Sequence, residues 1–316
     1  MGQPDADIVD IFLQQIINGL TLGSIYAVVA LGYTMVYGII QLINFAHGEV
    51  VMLGAMVGLT VINLLAAGTA LPPLVVVLLG TGCAIPVCML TGYALERFAY
   101  RPLRHAPRLA PLITAIGASI VLQQIAMMVW SRNPLAFPQI MPNPVFHIAG
   151  ATITLVQIAI IATSIIMMAG LTLIVYRTRL GVAMRATSQN PHIAGLMGVD
   201  INQVIAATFI LGAALAAVAG IMVGTYYGIA HYTMGSLLGL KAFAAAVLGG
   251  IGNLAGAMLG GMLLGIVEAL GAGYIGDLTG NVFGSNYQDV FAFLVLIAVL
   301  VFRPSGLLGE RVGDRA

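Results

Sequence analysis

The chain is poor in charge, in cysteine and in lysine. Only 7% of its 316 residues are charged and 60% are hydrophobic, whereas a soluble domain carries about a quarter charged residues. That excludes a water-soluble fold. Apolar runs of about 20 residues, each enough to cross a bilayer, recur from residue 9 to residue 303. No soluble domain of useful size fits between them, so residues 1–316 read as one transmembrane domain, an all-α polytopic bundle. With a net charge of +1 and no basic field, nucleic acid is excluded as an expected partner. Cys83 and Cys88 lie five apart in an apolar run; on a helix they point to separate faces, cannot bridge each other and are expected to be buried thiols. The only lysine, Lys241, precedes Ala242, so no Gly-Lys-Ser/Thr phosphate loop exists and any ATP dependence must come from another subunit.

What charge there is has a pattern. The opening "MGQPDADIVD" is acidic and lacks a basic leader, so Ile8 to Leu31 reads as an uncleaved first span. Ten of the twelve basic residues fall in three clusters: Arg97, Arg101, Arg104 and Arg108; Arg177, Arg179 and Arg185; Arg303, Arg311 and Arg315. By the positive-inside rule all three face the cytosol. Spans near 9–31, 33–68, 73–94, 111–131, 153–176 and 203–224, a hairpin near 239–273 and a span near 288–303 satisfy that parity, with the N-terminus outside and the C-terminus cytosolic. The external "RNPLAFPQIMPNP" has four prolines and reads as a rigid loop.

Two segments are expected to be discontinuous. A straight helix over residues 33–68 would run about 54 Å, against a hydrocarbon core of about 30 Å. A break at Asn44–Gly48 gives an 11-residue half-helix, Tyr33 to Ile43, and a new helix from Glu49. Unwound backbone at depth survives only when buried in protein or beside water. Asn44, His47 and Glu49 therefore either satisfy freed peptide groups and the helix dipole or line a translocation path. The counterpart runs from Leu240 to Leu248, breaks at Gly249–Gly252 and resumes near Asn253; paired interrupted segments point to a transport site. Lys241 and Glu268 flank this hairpin and join the candidate path. A turn at residue 251 puts them roughly 15 and 26 Å above it, a gap of about 11 Å that allows direct pairing only in a skewed hairpin. Five GxxxG pairs, among them Gly19/Gly23 and Gly261/Gly265, read as close helix packing.

Residues 185–200, "RATSQNPHIAGLMGVD", are too polar for a span. Asn190 suits an N-cap, Pro191 the first helical position and Gly198 the residue past the end, giving a short helix of about two turns that includes Gly195. It either turns the chain or seats in a groove on a partner.

"LGYTMVYGIIQLINFAHGEVVMLGA", "ERFAYRPLR", "LITAIGASIVLQ", "GLKAFAAAVLGGIGNLAGAMLGGMLLGIVEAL" and "RPSGLLG" together resemble the permease subunit of bacterial high-affinity branched-chain amino acid ABC importers, the LivH type. The resemblance spans Leu13 to Gly309 and implies a non-enzymatic inner-membrane subunit for leucine, isoleucine or valine. It also implies a second related permease, two cytosolic ATPase subunits that bind the ATP, and a periplasmic substrate-binding protein. Arg185, Asn190, Pro191, Gly195 and Gly198 would then belong to the ATPase-docking loop. Where that loop commonly carries acids, this chain has Thr187, Ser188 and Gln189. Related systems carry urea, short amides or other amino acids, and an ion-coupled secondary transporter is the alternative from another class.

Overall fold

The computed structural model describes residues 4–68, 70–104, 106–107, 109–148, 150–278 and 287–309. Arg108, Arg311 and Arg315 lie outside the described residues. Among the described residues, seven helical segments are long and apolar enough to cross a membrane. In chain order the helices are α1 (Pro4–Ile40), α2 (His47–Gly68), α3 (Pro73–Ala94), α4 (Leu109–Val129), α5 (Leu155–Arg177), α6 (Arg179–Gln189), α7 (Pro191–Leu196), α8 (Ile201–Tyr227), α9 (Met234–Gly249), α10 (Leu254–Leu278) and α11 (Gln288–Phe302). The α3 rod continues through a π-helical turn, Leu95–Tyr100, and a 3-10 turn, Arg101–Leu103. The fold is an all-α polytopic bundle.

At one end the proline-rich connection is not bare loop. Short antiparallel strands form there: β1 (Leu135–Ala136) pairs with β4 (Ile229–Ala230), and β2 (Val145–Ile148) with β3 (Ala151–Thr154). The other end gathers the described arginines of the three clusters, where α3, α5 and α11 finish. Helices α1 and α8 form the interior, 78% of each apolar window being buried, while α3, α4 and α5 make the hull, with 11–22% buried.

The first discontinuity falls close to the expected Asn44–Gly48, but the half-helix Tyr33 to Ile43 is not a separate element. Residues 33–40 belong to α1, which runs 37 residues, about 55 Å, without interruption. Gly32 does not end the helix: it clears space for the His47 ring, which packs directly against it. The break covers residues 41–46, overlapping the expected Asn44–Gly48, and Gln41 there takes a left-handed φ of 51° and turns the chain back into the bundle. The second break matches the Gly-rich stretch more closely. Gly250 and Gly252 hold φ of 105° and 99°, conformations only glycine adopts without strain.

The small residues do pack. Gly19 and Gly23 of α1 meet Ile266 and Met262 of α10, and Gly54 of α2 meets Ala217 of α8, at backbone separations that leave no room for a methyl group. Cys88 is buried and donates to the Val50 carbonyl at 3.5 Å, but Cys83 is exposed on the hull, contrary to the expectation of two buried thiols.

Candidate functional site

The break after α1 is stitched by backbone and side chains together. The Asn44 carbonyl accepts the His47 N–H at 3.0 Å, and the Ala46 carbonyl accepts those of Glu49 and Val50 at 3.1 and 3.3 Å, so main-chain oxygens cap α2. The Asn44 side chain turns elsewhere, its Oδ1 accepting the Tyr100 hydroxyl at 3.0 Å. His47 sits edge-on to Tyr33 with ring centroids 4.9 Å apart. Both Asn44 and His47 are buried.

Glu49 is fully buried yet ties three helices together. Its Oε1 accepts from Gln123 Nε2 at 2.8 Å and Ser119 Oγ at 3.2 Å on α4, and from Ser236 Oγ at 3.1 Å on α9. The acid thus reaches across the bundle and does not merely face the dipole of its own helix. Those three donors could not be found by spacing, because they lie 70 to 187 positions away.

Lys241 and Glu268 pair directly, Nζ to Oε1 at 2.7 Å, which overturns the expected separation. The turn occupies residues 250–253 and Gly260 packs on Ala245, so Lys241 stands level with residue 264. Glu268 is then one turn higher, about 6 Å at helix rise, within reach of an extended lysine. Tyr26 donates its hydroxyl to Glu268 Oε2 at 2.9 Å, and Asp289 Oδ1 of α11 lies 2.6 Å from Nζ. One cation therefore joins α1, α9, α10 and α11.

At the arginine-rich end, Glu96 is fully buried between Arg101 and Arg104. Arg101 grips it by two bonds, of 3.1 and 3.0 Å, and Arg104 also reaches Asn202 at 2.6 Å. Position in the sequence marks these arginines as topology signals and does not reveal the carboxylate they share. Burial pushes the Arg104 guanidinium pKa down against the pull of Glu96. Close by, α6 and α7 form the 185–200 loop. Asn190 Oδ1 accepts the Ile193 N–H at 3.1 Å, Pro191 opens α7, and Gly198 closes it at φ 87°. Arg185 bonds the Val175 carbonyl and lies 5.2 Å from the Tyr176 ring centroid. Ile193 and Leu196 stand exposed on α7, and Met197 is exposed at its C-cap. Behind it a cavity of about 550 Å³ is lined by Ile39, Ile40, Leu42, Arg104, Pro191 and Leu196, so the helix faces the stretch where α1 ends across that space.

Residues 15–300 match the family described as branched-chain amino acid transport system, permease component. The chain is 50% identical over 304 residues to the high-affinity branched-chain amino acid transport system permease protein BraD of Pseudomonas aeruginosa, covering 95% of this chain and 96% of that one. It is 43% identical over 303 residues to the corresponding LivH protein of Escherichia coli, with the same coverage. The probable LivH of Methanocaldococcus jannaschii is 28% identical over 301 residues, 95% of this chain and 94% of that one. The chain belongs to the branched-chain amino acid permease family.

Proposed function

We propose that this chain is the transmembrane permease subunit of an ATP-driven ABC importer for leucine, isoleucine and valine in a bacterial inner membrane. The observation that carries the reading is the family match over residues 15–300 together with 50% identity across 95% of the chain. The partners are a second related permease, two cytosolic ATPase subunits and a periplasmic binding protein. ATP binds to the ATPases, because the only lysine here lacks a phosphate-loop context. The chain does no covalent chemistry.

In this reading the arginine-rich end faces the cytosol and the strand-bearing end receives the binding protein. Helix α7 docks on an ATPase through Ile193, Leu196 and Met197. Apolar anchors suit a loop whose Thr187 is buried on its own helix, Oγ1 to the Ala183 carbonyl at 2.8 Å, in place of the acids of related loops. Closure of the ATPases displaces α7, the α1 end at Ile39 and Ile40 moves with it, and the 41–46 turn passes the motion to Asn44, His47 and Glu49. Lys241 and Glu268 hold the α9–α10 hairpin against which that motion works.

The test is reconstitution. Liposomes containing the purified complex should accumulate labelled leucine only with ATP and binding protein. Uptake by this chain alone along a proton gradient would replace the reading with ion-coupled transport.

A further inference from the structure

Ser119, Gln123 and Ser236 are polar side chains on largely apolar surfaces, where α4 also exposes Gln124. Ser119 and Gln123 are ten and fourteen residues along α4, about 15 and 21 Å up a helix roughly 31 Å long, which places them within the hydrocarbon zone. Ser236 is exposed, Gln123 and Ser119 half-buried, and Ile120 and Leu237 beside them are 53% and 50% exposed. Polar groups directed at lipid are costly, and where they occur in spans they face protein or a water-filled cavity. Gln123 Nε2 also bonds Ser236 Oγ at 2.7 Å, so the two bridge α4 and α9 at the surface.

Behind the bridge lies Glu49. Its Oε1 takes all three donors, whereas its buried Oε2 has no hydrogen-bond partner among the described residues. An anionic group with one oxygen saturated and the other free has unspent capacity for a donor, and such a group buried in a span is a functional signal.

We propose that Gln123 and Ser236, backed by Glu49, form a polar station on the substrate route that receives the ammonium group of the zwitterionic cargo. This face of α4 and α9 is turned to water and substrate, not to lipid. The inference rests on the importer reading and adds the surface and the chemical group recognised. Gln123 and Ser236 touch the ammonium through oxygens, and Glu49 supplies the negative charge one hydrogen bond behind them. The apolar side chain of the cargo then lies against the neighbouring Ile120 and Leu237, which gives an apolar amino acid both of its contacts.

The experiment is thiol accessibility in native membrane vesicles holding the whole transporter. Ser236→Cys should react with a membrane-impermeant methanethiosulfonate, and leucine with binding protein should slow that reaction severalfold. Leu173→Cys, 60% exposed on the hull of α5, should react only with a lipid-soluble maleimide. The parent chain with Cys83 and Cys88 is the blank. Where Ser236→Cys does not assemble, Gln123→Cys is read in the same way. Gln123→Leu should lower leucine uptake by about tenfold, the effect of losing one hydrogen bond to a charged group, while both ATPases still copurify. If both cysteines react only with the lipid-soluble reagent, or Gln123→Leu imports at the parental rate, the station is wrong. ATP-driven uptake would persist in either case, whereas loss of ATP dependence in the parent complex would remove the importer reading itself.

Discussion

Lys241 faces two carboxylates and a phenol with its side chain only 6% exposed, in a setting where water cannot support an isolated charge. Lys241→Met leaves Glu268 and Asp289 repelling each other without a cation. That should cost about 3–5 kcal/mol, seen as a lower melting temperature of the purified transporter. Lys241→Met combined with Glu268→Leu should recover most of the loss, because exchanging a buried pair for apolar side chains is close to neutral. A double variant as unstable as the single one would contradict the ionic account. The rarity of lysine made this position visible in the sequence. Its partners were hidden, since the pairing depends on which residue the hairpin turns at, and Asp289 comes from a helix 48 positions away. Glu49 separates two roles in a similar way. Glu49→Gln should reduce uptake with little change in melting temperature if the charge serves transport; normal uptake with a lower melting temperature would make it a cross-link only.

At the level of elements, the proposed coupling runs through the turn after α1 and the helix α7. The spacing rules found α7 because its stop signals are local: an Asn cap, a proline at the first position and a left-handed glycine. They end the first helix near residue 32 wrongly because the feature that keeps α1 continuous past Gly32 is tertiary, the imidazole of His47 filling the missing side chain. A methyl at that position would come within 2.5 Å of His47 Cε1. Gly32→Ala should therefore destabilise by about 1–3 kcal/mol, and adding His47→Ala should restore part of it by vacating the space. Independent, additive losses in thermal denaturation would mean that the two residues do not share that contact. Gly195 behaves oppositely: its nearest neighbour for an added Cβ is Ile201 Cδ1 at 3.8 Å. Gly195→Leu should leave the fold intact and lower ATP hydrolysis stimulated by loaded binding protein, whereas unchanged stimulation would remove α7 from the docking surface.

On the scale of the whole molecule, composition made the bundle legible but not its inside. Every span is apolar on all sides, so periodicity does not distinguish a core face from a hull face; only assembly reveals that α1 and α8 are interior while α4 is hull. Charge supplies what hydropathy cannot, an axis. Among the described residues, Arg97, Arg101, Arg104, Arg177, Arg179 and Arg185 gather at the end that carries α7, and Arg132 stands near the strands, where its carbonyl bonds His231 at 3.0 Å. The positive-inside rule therefore predicts that Met197, 81% exposed on the 185–200 loop, is cytosolic and that Phe146, 46% exposed on β2, is external. In intact spheroplasts an impermeant maleimide should label Phe146→Cys and spare Met197→Cys. In inverted vesicles from cells lacking the ATPases the pattern should reverse, and a reversal in the opposite sense would invert the topology and with it the direction of transport. Restoring the ATPases should then protect Met197→Cys, because Met197 is one of the three apolar anchors proposed for the docking contact; continued labelling at the same rate would leave the orientation standing and move the docking contact elsewhere on that face.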